Sequence, residues 1–220
     1  VNALVDRVDL PDDPIVLKLS EQKDIVAKIA PSDATNQTVT WKSSNTKLLN
    51  VTQTEKTRTT LTAKKKQGVT TVQVAAKDKS EKKDSVIVTV YKSYSAKEQF
   101  GVTVPKKSFI YQAADTTLSA NHKRYVSADT LLQVTGVCGK DFYYVKDQEG
   151  KTGFIQKTGV KKLLDYVSVA RGEKKAFQSL TAKMLFQGRD NSKVDIKETK
   201  NSKKKWITGK KSGTTIIRYK

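Results

Sequence analysis

Short runs in which every second residue is hydrophobic recur along the chain. They are rich in Val, Ile and Thr, and Gly, Asn, Asp and Ser bound them. The clearest runs cover residues 69–75, 85–90, 131–137 and 213–219. A period of two is typical of strands with one buried face, and helical periodicity is nearly absent. The pattern predicts an all-β chain made of small sandwiches or barrels.

Two stretches divide these runs into groups. Residues 91–99 follow a strong strand and carry no apolar pattern, so we predict a linker there. A second junction falls near residues 160–166 with almost no spacer, and a short junction is expected to be the stiffer of the two. The predicted units are residues 1–92, 96–163 and 164–220.

The third unit repeats the first. A shift of 145 residues places residues 41–75 on residues 186–220 without a gap. Matches at period two indicate the buried faces of the same strands in both copies. The matched pairs include Trp41 with Phe186, Leu61 with Trp206, and Gly68 with Gly213.

The repeat also predicts that the third unit lacks a strand. Residues 85–90 close the first unit, but residue 75 already matches residue 220. A sandwich without its terminal strand exposes a sheet edge. We interpret the chain, which begins at Val1, as a piece of a longer parent protein that supplies the strand. The alternative is strand-mediated self-association with a neighbouring molecule.

Three motifs of the first unit carry a resemblance to a known family. They read APSDATNQTVTWKSSN (residues 30–45), LTAKKKQGVTTVQVAA (61–76) and SVIVTV (85–90). The unit resembles the group 2 bacterial immunoglobulin-like domain, with Trp41 as the large anchor of a small core. The resemblance implies an Ig-like β-sandwich found in tandem in bacterial surface proteins and adhesins, without an active site. The third unit would be a second, incomplete Ig-like sandwich.

The middle unit contains GKDFYYVKDQEGKTGFIQ (residues 139–156) and resembles a bacterial SH3-like barrel. The resemblance implies a shallow aromatic groove as the functional surface, with Tyr111, Phe142 and Tyr144 as ligand-groove candidates. Period two places Phe142 and Tyr144 on one face and Tyr143 and Val145 on the other. The alternative is that these rings are core and ordinary cross-strand pairs.

Charge adds a second candidate surface. The chain has 42 Lys and Arg against 22 Asp and Glu, a net charge of +20, and only six of the basic residues are Arg. Lysine-rich strands suit diffuse attraction to a polyanion, whereas base readout favours Arg, so we do not expect a nucleic-acid partner. The alternative is a merely solvated surface. The candidate polyanion contacts are Lys64, Lys65, Lys66, Lys203, Lys204, Lys205, Lys210 and Lys211.

Catalytic chemistry is not predicted. Cys138 is the one cysteine and lies in an apolar run, which favours a buried, inert thiol. His122 is the one histidine, so neither a zinc site nor a Ser/His/Asp triad can be assembled, and no metal or cofactor is predicted. No apolar run approaches the roughly 18 residues of a membrane span, so no membrane insertion is expected.

These observations predict a non-enzymatic, extracellular structural or adhesion module of a bacterial cell-envelope protein, either secreted or on the cell surface. Its expected partner is an anionic wall polymer, a glycan or a host-surface ligand. Two alternatives stay open: the wall-targeting part of a peptidoglycan hydrolase, and a phage tail or decoration protein that contacts a host surface.

Overall fold

A computed structural model describes residues 2–162, 171–178, 186–188, 192–198, 204–211 and 217–219. The regular elements in these residues are strands and one short 3₁₀ helix, Lys157–Gly159. The predicted all-β fold class is confirmed. Within the described residues no helix is long and apolar enough to cross a membrane.

The first unit is a two-layer sandwich. Its strands are β1 (Arg7–Asp9), β2 (Ile15–Lys18), β3 (Gln22–Val26), β4 (Lys28–Ala30), β5 (Val39–Ser43), β6 (Leu49–Gln53), β7 (Arg58–Ala63), β8 (Gly68–Ala76) and β9 (Lys83–Ser93). One sheet has the order β2–β9–β8–β5 and the other has the order β3–β7–β6, while β1 and β4 form a separate ribbon. Residues from both sheets share one buried cluster.

Alternation explains which residues fill this core. Strand β7 buries every second side chain, Thr59, Leu61 and Ala63. Strand β5 turns Val39, Trp41 and Ser43 inward in the same way, although Trp41 stays partly exposed. Trp41 packs against the buried cluster, which confirms its interpretation as a core anchor.

The middle unit is a curled sheet around its own core. Its strands are β10 (Phe100–Thr103), β11 (Ser108–Tyr111), β12 (Lys123–Val126), β13 (Leu131–Cys138), β14 (Phe142–Lys146), β15 (Thr152–Gln156) and β16 (Lys161–Lys162). Their order is β12–β11–β15–β14–β13–β10–β16. Six of these strands contribute to a single buried cluster, so the sheet must curl around it: Val102, Ile110, Val126, Leu132, Val134, Val145 and Ile155.

The linker predicted for residues 91–99 is wrong at its first three positions. Strand β9 continues to Ser93, and its end pairs with β13 through Lys92↔Val137 and Ser93↔Gly136. Tyr91, the first residue of this extension, is 7% exposed. Four strands of the first unit (β2, β5, β8 and β9) and the seven strands of the middle unit therefore belong to one 11-stranded sheet. Most of the second predicted junction, residues 163–166, lies outside the described residues.

The third unit has five described strands. They are β17 (Lys174–Gln178), β18 (Phe186–Gly188), β19 (Val194–Glu198), β20 (Lys204–Gly209) and β21 (Ile217–Tyr219). Strands β17, β20 and β19 form one sheet, and β18 pairs with β21. These pairings repeat those of the first unit, in which β3–β7–β6 and β5–β8 are the corresponding sheets.

The pairing registers test the predicted repeat. Trp41 lies opposite Val74 in the first unit, and Phe186 lies opposite Tyr219 in the third, as the shift of 145 requires. The gap-free match fails at the other hairpin. Val51 pairs with Leu61, but Ile196 pairs with Ile207 rather than with Trp206.

The predicted match of Leu61 with Trp206 is therefore wrong by one residue. Leu61 is fully buried and Ile207 is 4% exposed, so Ile207 takes the core position. The hairpin between β19 and β20 is one residue longer than that between β6 and β7, and a residue is lost again before β21. The added residue in the β19–β20 hairpin and the lost residue before β21 cancel each other, so the match of hydrophobic positions did not reveal either change. The missing last strand stays a prediction, because residues 163–170, 179–185 and 212–216 lie outside the described part.

Candidate functional site

The outer face of the middle unit carries a stripe of aromatic side chains. Strand β14 points Tyr143 and Val145 into the unit's own core and Phe142 and Tyr144 outward, as the alternation predicted. The outward face continues across the sheet, because Tyr144 lies opposite Phe154 and Phe154 lies opposite Tyr111. The three predicted groove residues thus share one face.

This stripe packs against the first unit. The ring centroids of Tyr91 and Tyr144 are 4.3 Å apart, and those of Tyr144 and Phe154 are 4.8 Å apart. The ring of Tyr111 meets that of Phe142 edge to face at 6.5 Å. We call the whole group the junction cluster: Val16, Val69, Tyr91, Tyr111, Ala114, Cys138, Phe142, Tyr144 and Phe154.

The predicted groove residues therefore contribute to the contact between two units. Phe142 is 9% exposed, so little of its ring is left for a ligand. Tyr111 and Tyr144 are partly exposed, and the Tyr144 hydroxyl hydrogen bonds with Thr152 Oγ1 at 2.9 Å. Ligand binding by these rings stays a prediction.

Hydrogen bonds surround the junction cluster. The amide of Gly139 donates to Gln67 Oε1 at 2.9 Å, and the amide of Ala114 donates to Thr89 Oγ1 at 3.3 Å. Cys138 Sγ donates to the carbonyl of Val90 at 3.5 Å. These bonds connect the residue before β8 and the middle of β9 to β13 and the loops of the middle unit.

A second polar contact lies at the edge of the junction. Gln112 Nε2 donates to Asp13 Oδ1 at 3.0 Å, and His122 Nδ1 lies 3.6 Å from the same oxygen. Gln112 and His122 flank the long loop of the middle unit, and Asp13 precedes β2 of the first. The loop is therefore held to the first unit at both of its ends.

Gly136 permits the close approach of β13 to β9. A Cβ atom at this position would lie 2.6 Å from the carbonyl oxygen of Lys92 and 2.8 Å from ring carbons of Tyr91. Separations under 3.0 Å require the backbone or the ring to shift. The absence of a side chain at Gly136 is thus a condition for the shared sheet.

Burial raises the pKa of two ionisable groups in the junction cluster. It raises the pKa of the Cys138 thiol to about 11, although the backbone of Gly68 and the charge of Lys157 favour the thiolate. It also raises the pKa of the Tyr91 hydroxyl to about 12, with Tyr144 and Glu21 adding to the shift. The predicted buried thiol is confirmed, and a protonated thiol is a poor nucleophile.

The predicted lysine contacts fall in several places. Lys65 and Lys66 are exposed in the β7–β8 connection, where Lys64 is partly buried. Lys210 and Lys211 are exposed after β20. Lys204 and Lys205 lie on β20, and their side chains are outside the description; Lys203 lies outside it altogether.

Sequence reasoning missed two exposed rings on the middle unit. Phe109 and Tyr125 lie opposite each other on β11 and β12 and are 36% and 44% exposed. Both lie on the same face of the hairpin as Tyr111, because alternate residues of a strand share a face. Alternation within residues 108–111 and 123–126 was the available signal.

Among the described residues no group of three or more His, Cys, Asp or Glu could hold a metal ion.

Comparison with known proteins finds only distant likenesses. No family model matches the chain, and no curated protein matches it. Among solved structures, domains 5–6 of the S-layer protein SbsC are 12% identical, with 99% of this chain and 98% of that one covered and a TM-score of 0.35. The Yersinia pseudotuberculosis adhesin InvE is 11% identical, with 90% and 73% covered and a TM-score of 0.30. Domains 1–4 of protocadherin gamma B7 are 9% identical, with 97% and 75% covered and a TM-score of 0.32.

Proposed function

We propose that this chain is a non-enzymatic, extracellular structural module of a bacterial cell-envelope protein, and that its first two units act as one stiff segment. The observation that carries the proposal is the shared sheet, in which β9 pairs with β8 and β2 and then with β13. Two units joined by a flexible linker would change their relative orientation freely. A shared strand with a buried aromatic contact fixes their relative orientation, which suits a spacer that holds a neighbouring domain away from a surface.

The relative direction of β2 and β9 supports a role in which the module bears mechanical tension. Strand β2 pairs in parallel with β9, from Ile15↔Val88 to Lys18↔Tyr91. In a parallel pair the hydrogen bonds are evenly spaced along both strands. Tension that enters before β2 and leaves after β9 pulls the two strands in opposite directions, so these bonds resist together rather than one after another.

The finer proposal is that the module binds anionic wall polymers or glycans. Its support is the excess of 42 basic over 22 acidic residues, together with the exposure of Lys65, Lys66, Lys210 and Lys211. A positive surface raises the local concentration of a polyanion and weakens with salt.

Surface exposure is the first test. Antibodies raised against the chain should label intact cells that produce the parent protein as strongly as permeabilised cells. Labelling that requires permeabilisation would contradict an extracellular role. A cytoplasmic protein of the same cells is the control, and it should be labelled after permeabilisation alone.

Stiffness is the second test. Relaxation measurements by NMR on the whole chain should give one rotational correlation time for the amides of the first and middle units. Two distinct correlation times would contradict the stiff segment and leave surface location unaffected.

A further inference from the structure

The described residues include four exposed large hydrophobic side chains, and two of them lie side by side. These are Phe109 and Tyr125, whose ring centroids are 5.2 Å apart in an edge-to-face arrangement. Leu4 and Val26, the other two, lie in the first unit. An exposed aromatic pair on a sheet face costs solubility and is typical of a binding surface.

Each ring holds a lysine ammonium group over its face. Lys107 Nζ lies 4.2 Å from the ring centroid of Tyr125, and Lys123 Nζ lies 4.8 Å from that of Phe109. Cation–π contacts of this length hold a flexible lysine in place. We call Lys107, Phe109, Lys123 and Tyr125 the hairpin patch.

The two ammonium groups lack carboxylate partners. The ion pairs of this hairpin and its loop are Arg124 with Asp147 and His122 with Asp13. Within the described part of the chain, neither Lys107 nor Lys123 has a carboxylate within 4.0 Å. Both side chains are exposed. The patch therefore presents two cations without carboxylate partners, and the rings favour one position for each before any ligand arrives.

The patch is linear. Lys123 lies opposite Tyr111, four residues further along β11 than Lys107. Four residues of strand place the backbones of the two lysines about 13 Å apart, and the backbone positions of the two rings lie between them. A linear polymer with repeated negative charges and apolar faces between them matches this order of groups.

We infer that the hairpin patch binds an anionic polysaccharide, with its carboxylates on Lys107 and Lys123 and the apolar C–H groups of a sugar against the exposed edges of the two rings. This inference rests on the proposed function, because it assigns polyanion binding to a particular site.

Two other polyanions fit the patch less well. Peptides are usually held by backbone pairing at a sheet edge or in a groove. The open edge of this hairpin is β12, so a paired peptide would lie beside Lys123 and Tyr125 but a full strand away from Lys107 and Phe109. Nucleobases stack in parallel on open aromatic faces. Here the edge-to-face pair and the two ammonium groups occupy the faces that stacking would need.

The test is a titration of the whole chain with polygalacturonate at low salt, with neutral dextran as the reference. Removing both charges with Lys107→Gln and Lys123→Gln should weaken polygalacturonate binding about tenfold, since each lysine makes a charge-assisted contact. The matched control is Lys77→Gln with Lys79→Gln, which removes the same charge from two exposed positions of the first unit. It should change the affinity less than about twofold.

A second variant pair separates the rings from the charges. Phe109→Leu with Tyr125→Leu keeps the lysines but removes the cation–π contacts. Since the lysines then lose their fixed positions, binding should weaken several-fold with the circular dichroism spectrum unchanged.

Three outcomes would overturn the inference. One is equal weakening by the two lysine pairs, which would mean diffuse attraction over the whole surface. Another is tighter binding of poly-glutamate or of an oligothymidylate with the same dependence on Lys107 and Lys123, which would assign the patch to an acidic peptide or a nucleic acid. The third is that the unmodified chain binds no polyanion at all. That result would also end the wall-polymer proposal, while surface labelling of intact cells would still support the structural role.

Discussion

At the scale of single residues, Gly136 decides how closely the two units approach. A methyl group there would overlap the Lys92 carbonyl and the Tyr91 ring. We expect Gly136→Ala to lower the free energy of unfolding by about 1–3 kcal/mol, as overpacking does. We also expect it to open the junction cluster and expose Cys138. The measurement is the rate of Cys138 modification by a thiol reagent under native conditions, beside a thermal melt.

Gly150→Ala is the matched control. Gly150 has φ +86°, so alanine is strained there as well, but the added Cβ would meet only the flexible side chain of Lys146 at 3.7 Å. The cost should be about 1–2 kcal/mol with no change in thiol reactivity. Similar thiol protection in both variants would mean that Gly136 does not hold the junction.

Tyr91 and Cys138 predict how stability depends on alkaline pH. The folded state raises the pKa of Cys138 from its ordinary value of 9.0 to about 11, and that of Tyr91 from 10.0 to about 12. The unfolded chain thus loses these protons first, and stability falls as pH rises above 9. Each group contributes a slope of at most about 1.4 kcal/mol per pH unit within its own window.

The melting temperature should therefore be level up to about pH 9 and fall steadily towards pH 12. In Cys138→Ala the fall should begin near pH 10 instead, because the Cys138 contribution is gone and that of Tyr91 starts near its ordinary pKa of 10.0. An unchanged profile in this variant would show that the thiol ionises equally in the folded and unfolded chain.

Two single residues also show which buried positions could be predicted from the sequence. Trp41 could be placed in a core because it lies in an alternating strand beside Val39 and Ser43. Tyr91 could not, since the residues after it are polar and its ring partners, Tyr144 and Phe154, are more than fifty positions away. In β9 one face packs in the core of the first unit and the other packs in the junction cluster. The hydrophobic pattern of the strand alone cannot predict the second of these contacts.

At the scale of elements, β2 shows how one strand serves two cores. Leu17 is fully buried in the core of the first unit, whereas its neighbour Val16 points to the junction cluster. Leu17→Ala should destabilise the chain by about 2–5 kcal/mol through the cavity that it leaves. Val16→Ala should cost less and should chiefly raise the reactivity of Cys138. Chemical denaturation and thiol labelling of both variants are the measurements.

Each of these variants is the control for the other. The two variants are compared at temperatures equally far below their own melting temperatures. If the Cys138 thiol reacts faster in Leu17→Ala than in Val16→Ala, the assignment of the two faces of β2 to different cores is wrong.

Strand positions were predictable and strand partners were only partly so. Alternation located β8 and β13, in which every second side chain is buried, and runs rich in Val, Ile and Thr located β9 and β21. The register of β19 with β20 was missed by one residue, because Trp206 and Ile207 are both apolar and either could fill the inward position. The Phe109–Tyr125 pair was missed because alternation places the two rings on the face away from the core but does not indicate whether another unit covers them.

At the scale of the whole molecule, charge predicts the response to salt. If lysines hold an anionic polymer, affinity should fall steeply between about 0.05 and 0.5 M salt, since the screening length shrinks to a few ångströms. Pull-down on purified cell wall or on polygalacturonate resin across this range is the measurement. Binding that persists unchanged at about 0.5 M salt would rule out an electrostatic origin.

Strand β9 also fixes an order of events during synthesis. The pairing partner of Lys92 and Ser93 lies on β13, which ends about 45 residues later at Cys138. At roughly 5–20 residues per second, the ribosome leaves this end of β9 unpaired for about 2–9 s after it emerges. An unpaired strand end next to an uncovered Tyr91 is a site for wrong pairing between nascent chains. Lys92 at that end supplies a charge that opposes such pairing until β13 has been synthesised.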